Sequence, residues 1–121
     1  VHADRDHVTL TEGEAVATRH TQDDTYHSAA STVTMHAGRH FAQFTLLAGV
    51  CVLVGVLRPD WVDRVEAEHA LEASEQDGHC FYDMKEGTCW PGGTGWAGSQ
   101  TTDQPGDRIG LLLDLDQGSM T

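Results

Sequence analysis

The sequence predicts an all-β protein: an antiparallel, two-sheet β-sandwich, incomplete at its carboxyl end. Three observations predict it. Several short runs alternate or are rich in β-branched and aliphatic residues, as strands are. Gly, Asp and Pro punctuate those runs where strands would end. The last run, Ile109 to Leu115, places Ile109, Leu111, Leu113 and Leu115 on one face and Gly110, Leu112, Asp114 and Asp116 on the other. By length alone such a run is a strand or a buried helical turn. Gly110 within it and Asp116-Gln117-Gly118-Ser119 after it favour the strand. The turn sends the chain back as an antiparallel partner, of which the sequence holds only Met120 and Thr121. The expectation is a piece of a longer protein, cut inside a β-hairpin.

The other elements follow in chain order. Residues 1–30 are polar and form a lead-in. Within it, His7-Val8-Thr9-Leu10 and Ala15-Val16-Ala17-Thr18 flank Thr11-Glu12-Gly13-Glu14, which reads as a weak hairpin with Gly13 in the turn. Residues 19–30 read as a loop. The main domain is expected over residues 31–121. Ser31 to Met35 alternates and carries β-branched residues, so it reads as a strand. Phe41 to Leu47 and Val50 to Leu57 are the next two, joined at Ala48-Gly49. Both faces of Val50–Leu57 are apolar, which predicts a central strand covered on both sides. Gly55 within it allows a neighbour to approach closely. Pro59 ends the pairing because it has no N–H to donate. Residues 62–77 favour helix in composition, but their apolar stripe is ragged, so at most a turn or two of helix is expected. Gly78 to Tyr82 and Thr88 to Trp90 read as strands around an Asp83-to-Gly87 turn. Residues 91–98 are a glycine-rich loop carrying Trp96.

Bulk composition narrows the function. The chain has 121 residues, enough for one domain. Seven Lys and Arg stand against nineteen Asp and Glu, a formal net charge of -12. That charge opposes binding to nucleic acid or to an anionic membrane surface, and fits a partner that brings basic residues. The longest apolar stretch, Phe44 to Leu57, is shorter than the ~20 residues of a membrane-spanning helix. Three cysteines, Cys51, Cys80 and Cys89, are an odd, small number that suits a reducing, intracellular compartment such as the cytoplasm. In an oxidising one, Cys80 and Cys89 could face each other across a hairpin and bridge.

Three stretches resemble the SPRY domain family. Gly106-Asp-Arg-Ile-Gly-Leu-Leu-Leu-Asp-Leu-Asp-Gln-Gly-Ser-Met-Thr looks like its late signature, a Gly-Asp-x-Ile-Gly strand opening followed by Asp-Leu-Asp and a Gly turn. Gly38-Arg39-His40-Phe41-Ala42-Gln43-Phe44 resembles the early aromatic strand, with Phe41 and Phe44 present and the usual Trp absent. Val54-Gly55-Val56 resembles the next strand. The resemblance implies a concanavalin A-like sandwich that binds a protein or peptide segment through loops at one end. Arg58-Pro59 resembles part of that surface.

Catalytic and metal chemistry find little in the sequence. Asp114 and Asp116 could act as paired carboxylates across a sugar bond. The plainer reading has Asp116 begin a turn and Asp114 cap the solvent end of the strand. A calcium loop fails because Gly118 stands where a third oxygen ligand belongs. His79, Cys80 and Cys89 lack the fourth ligand and Cys-x-x-Cys spacing of a zinc site. No Ser, Cys or Lys lies in a nucleophile motif, and the glycines of 92–98 lack the Lys and helix start of a phosphate cradle. No cofactor or metal is expected.

Loop tryptophans carry the functional expectation, because interface hot spots favour Trp, Tyr and Arg. The expected partner-binding residues are Arg58, Pro59, Asp60, Trp61, Tyr82, Trp90 and Trp96. The competing reading is that each Trp plugs an end of the sandwich. The leading expectation is a non-catalytic protein-interaction module, and the alternative a lectin-like sandwich that stacks sugars on Trp.

Overall fold

Strands dominate the regular structure, so the protein is all-β. The computed structural model describes residues 1–20, 22, 25–49, 51–62, 78–91, 101 and 104–121. In order, the strands are β1 (His2–Ala3), β2 (Val8–Thr11), β3 (Val16–Arg19), β4 (Ala29–Ala30), β5 (Arg39–Thr45), β6 (Leu53–Leu57), β7 (His79–Asp83), β8 (Thr88–Trp90), β9 (Arg108–Asp114) and β10 (Ser119–Met120). A 3-10 turn, Pro59–Trp61, follows β6. The expected helix over 62–77 and the glycine-rich loop over 91–98 fall almost wholly outside the described residues. The chain divides into two compact units, Val1–Thr34 with Leu57–Gly78, and Met35–Val56 with His79–Thr121.

In the first unit, β2 and β3 form the expected hairpin, registered from Val8 opposite Arg19 to Thr11 opposite Val16. Its turn runs through Glu12, Gly13 and Glu14, all with positive φ. β1 pairs with β4, so residues 19–30 are not wholly loop. The strand expected at Ser31–Met35 is not formed. There the Val33 N–H donates to Ser31 Oγ at 3.0 Å, a local bond in place of a ladder partner. Val33 faces solvent, so β-branched composition alone did not recruit a sheet.

In the second unit, β5 and β9 pair over their full lengths, from Arg39 opposite Asp114 to Thr45 opposite Arg108. β10 closes the other side of β9, with Met120 opposite Leu113. The expected alternation holds from Ile109 to Leu113, with Leu111 buried, Ile109 and Leu113 half-buried, and Gly110 and Leu112 exposed; it breaks at Asp114, which is buried on the outward face. Gly110 makes room for the Phe41 ring, which a β-carbon there would meet at 2.8 Å. β6, β7 and β8 form a second three-stranded sheet in that order.

The two middle strands depart from expectation. β5 and β6 belong to different sheets, so Ala48-Gly49 joins no hairpin. The chain passes through a left-handed conformation at Cys51, and β6 begins only at Leu53. It lies at the outer side of its described sheet rather than at the centre. Gly55 does admit a close neighbour: a β-carbon there would strike the Cys80 carbonyl oxygen and lie 2.8 Å from Phe81 Cα. The core of this unit draws Val54 from β6, Tyr82 from β7 and Leu111 from β9, with Leu46 and Met84 at strand exits. Apolar faces of both three-stranded sheets are thereby removed from water.

Two hairpin turns here use the same chemistry. Asp83 Oδ1 accepts from the N–H groups of Lys85 and Glu86 at 2.9 and 3.0 Å. Asp114 Oδ1 accepts from those of Asp116 and Gln117 at 3.1 and 3.0 Å. Each turn ends on a glycine with positive φ, Gly87 or Gly118. An Asp side chain satisfies the turn's inner amides and the glycine adopts the left-handed exit without steric penalty.

Candidate functional site

Among the residues expected to meet a partner, Arg58, Pro59, Asp60 and Trp61 stand together in the first unit. Pro59 at the start of the 3-10 turn fixes φ near the helical value. The Trp61 N–H closes the turn on the Arg58 carbonyl at 3.0 Å, and the Arg58 N–H donates to the Gly78 carbonyl at 2.7 Å. Trp61 packs over Gly78, whose hydrogen leaves space that a β-carbon would not. The backbone is therefore held from two sides. On this base the Arg58 guanidinium forks onto Asp60, Nε to Oδ1 at 3.0 Å and a terminal nitrogen to Oδ2 at 2.8 Å. Their side chains remain 62% and 59% exposed, so this ion pair contributes little to stability.

The other expected contact residues separate from this group. Tyr82 is only 3% exposed and packs in the core of the second unit. It was expected at a partner surface and instead serves packing, because its strand is the middle one of three. Trp90 is half-buried at the end of β8, opposite Phe81. Trp96 lies outside the described residues.

The paired carboxylates on β9 are absorbed by the fold. Asp114, expected at the solvent end of the strand, is buried. Besides its two turn amides it accepts from Arg39 Nε at 2.7 Å. Asp116 Oδ1 accepts from the Gly38 N–H at 3.0 Å. Asp114 thus sets the β9–β10 turn, and Asp116 ties that turn to Gly38 at the entry to β5. The three cysteines are free. Cys89 lies opposite Tyr82, not opposite Cys80. Burial pushes the Cys80 thiol up, and burial and then Cys80 push up that of Cys89. Both are held as neutral, poorly nucleophilic thiols.

A third constellation went unread in the sequence: Asp4, His7 and His27, in the first unit. A tight turn places Asp4 beside His7, with the His7 and Val8 N–H groups donating to the Asp4 carbonyl at 3.2 and 2.7 Å. Pairing of Ala3 with Ala29, and an Asp4 N–H bond to the Ser28 carbonyl at 3.2 Å, bring His27 alongside. His7 Nδ1 lies 3.0 Å from both Asp4 carboxylate oxygens, and His27 Nδ1 lies 2.7 Å from Oδ2. The imidazoles stack at 4.1 Å, tilted by 17°. Asp4 is 3% exposed. Burial acts to raise its carboxyl, but the hydrogen bonds and charge of the two histidines together hold it below the usual carboxylate value. The Asp4-x-x-His7 spacing was visible in the sequence. Its third member, 23 residues from Asp4, depends on the β1–β4 pairing.

Comparison with protein-family models, curated proteins and solved structures gives no match to this chain. Among the described residues no helix is long and apolar enough to cross a membrane.

Proposed function

We propose that this chain is a recognition module that binds a segment of another protein through the Arg58–Trp61 loop and performs no chemistry of its own. The observation that carries this reading is the exposed Arg58–Asp60 fork on a backbone held by Pro59 and by Trp61 against Gly78. A loop already held in place loses little conformational freedom on binding, which favours affinity. The net charge of -12 favours a partner segment rich in Lys and Arg. Resemblance to the SPRY family at Val54-Gly55-Val56 and its Arg58-Pro59 exit supports the same placement. Protein recognition is preferred to sugar stacking because the exposed groups of this loop are the Arg58 and Asp60 charges, while Trp61 is half-buried with one side against Gly78.

Quantitative pull-down with the intact chain as bait tests the proposal. Arg58→Ala, at an exposed position, should leave the circular dichroism unchanged and lower recovery of specific partners at least about tenfold. Equal recovery by the wild type and Arg58→Ala would refute the assignment.

A further inference from the structure

We propose that Asp4, His7 and His27 form a binding site for a zinc-class divalent cation, separate from the Arg58–Trp61 loop. Two imidazole nitrogens and one carboxylate are a donor set suited to this borderline ion. The three donor atoms lie within 4.8 Å of one another. Tetrahedral ligands bound at 2.0–2.1 Å stand ~3.3 Å apart, a few tenths of an ångström beyond the 2.7–3.0 Å separations of the carboxylate from the two Nδ1 atoms. To hold one ion the two rings, now stacked at 4.1 Å and tilted by 17°, turn about their side-chain bonds so that both Nδ1 lone pairs point at it, while the carboxylate moves back by a few tenths of an ångström.

Three further features suit a ligand site. Both histidines present the same nitrogen, Nδ1, to one carboxylate. The far nitrogen of His27 is engaged: Nε2 lies 3.1 Å from Thr25 Oγ1. With the cation on Nδ1, the ring carries its remaining proton on Nε2 and donates it to that hydroxyl, the outer contact that orients a ligating histidine. Finally, exposure is graded. The side chains of Asp4 and His27 are 4% and 5% exposed and that of His7 is 26% exposed, so access lies on the His7 side. A water completes the coordination there, as in zinc sites with three protein ligands. Binding exchanges the N–H to carboxylate hydrogen bonds for metal–ligand bonds.

The test is calorimetric titration of the chelator-treated full chain with zinc chloride, followed by cobalt(II) as a spectroscopic probe. One ion should bind per chain, and cobalt should show the visible bands of a tetrahedral site with nitrogen and oxygen donors. His27→Ala and His7→Gln should each weaken binding at least about tenfold, since even outer-contact losses reach that size. His7→Gln alters the most exposed member and keeps the result interpretable if His27→Ala unfolds. His36→Ala and Cys51→Ser, at exposed positions elsewhere, should leave the affinity unchanged. Absence of zinc binding to the wild type, or affinity in His7→Gln within twofold of it, would overturn the site. So would equal loss of binding on Cys51→Ser.

Discussion

Asp4 and Asp114 are the two buried polar residues among those described, and the molecule satisfies them differently. Asp114 takes two backbone amides of its own turn and the Nε of Arg39. Backbone amides and a guanidinium are donors only and bind no metal, so the arrangement is a fixed clasp on the β9–β10 hairpin. Asp4 takes two imidazoles, one from its own turn and one from the residues leading into β4. Imidazole nitrogens are metal ligands as well as hydrogen-bond partners. The same problem, a carboxylate removed from bulk water, is thus solved once with permanent partners and once with responsive ones. Burial of a charge identifies a position that needs partners; only the partners' chemistry says whether it can respond.

The largest expected effect strikes the fixed clasp. Asp114→Ala leaves two turn amides without their acceptor and should lower stability by about 2–3 kcal/mol, read by thermal unfolding followed by circular dichroism. Arg39→Ala should cost less than about 1 kcal/mol, because its side chain is largely exposed and an exposed ion pair is weak. Equal losses in the two variants would break the comparison, since the ion pair and not the turn amides would then hold the hairpin.

Asp4→Ala comes next. It removes the common acceptor of His7 and His27 and should cost about 1–2 kcal/mol. The sharper measurement adds zinc chloride: the wild type should gain thermal stability and Asp4→Ala should not, whereas Asp114→Ala should gain as the wild type does. A gain retained in Asp4→Ala would show that the responsive character lies elsewhere.

The smallest effect concerns a third way of burying a titratable group. Cys80 and Cys89 are pushed up chiefly by burial, which favours the neutral thiol in the folded state. Their contribution is fully present below the unfolded thiol value of ~8.5 and is lost as pH rises through the higher folded values. Denaturant unfolding should therefore show a slight fall in stability above that pH, flattened in Cys80→Ala. Stability that rises across this range in the wild type would contradict the sign.

Much of the local structure was legible. The Asp83–Gly87 turn was readable because an Asp and a following Gly encode a hairpin turn within five residues, and the turn after β9 was readable from Asp116 to Ser119, though it is Asp114 that holds its amides. The inward face of β9 was readable because strand periodicity is local. The separation of β5 from β6 was not legible: consecutive apolar strands suggest a hairpin, yet each found its partner elsewhere. Ser31–Met35 failed for the same reason, since a strand needs a neighbour and composition does not supply one. Of the expected contact residues, Arg58 to Trp61 assemble locally, and Tyr82 was misread because its burial depends on neighbours distant in sequence.

By itself, then, the sequence determined the all-β class, the turns and the facing of the last strand, all properties of residues within reach of one another along the chain. Only the tertiary structure decided which strands pair, how Arg39 comes to cover Asp114, and that His27 meets Asp4 and His7. The physical reason is that pairing across tens of residues is chosen by the burial and hydrogen bonding of the whole unit. No short window of sequence contains both halves of that choice.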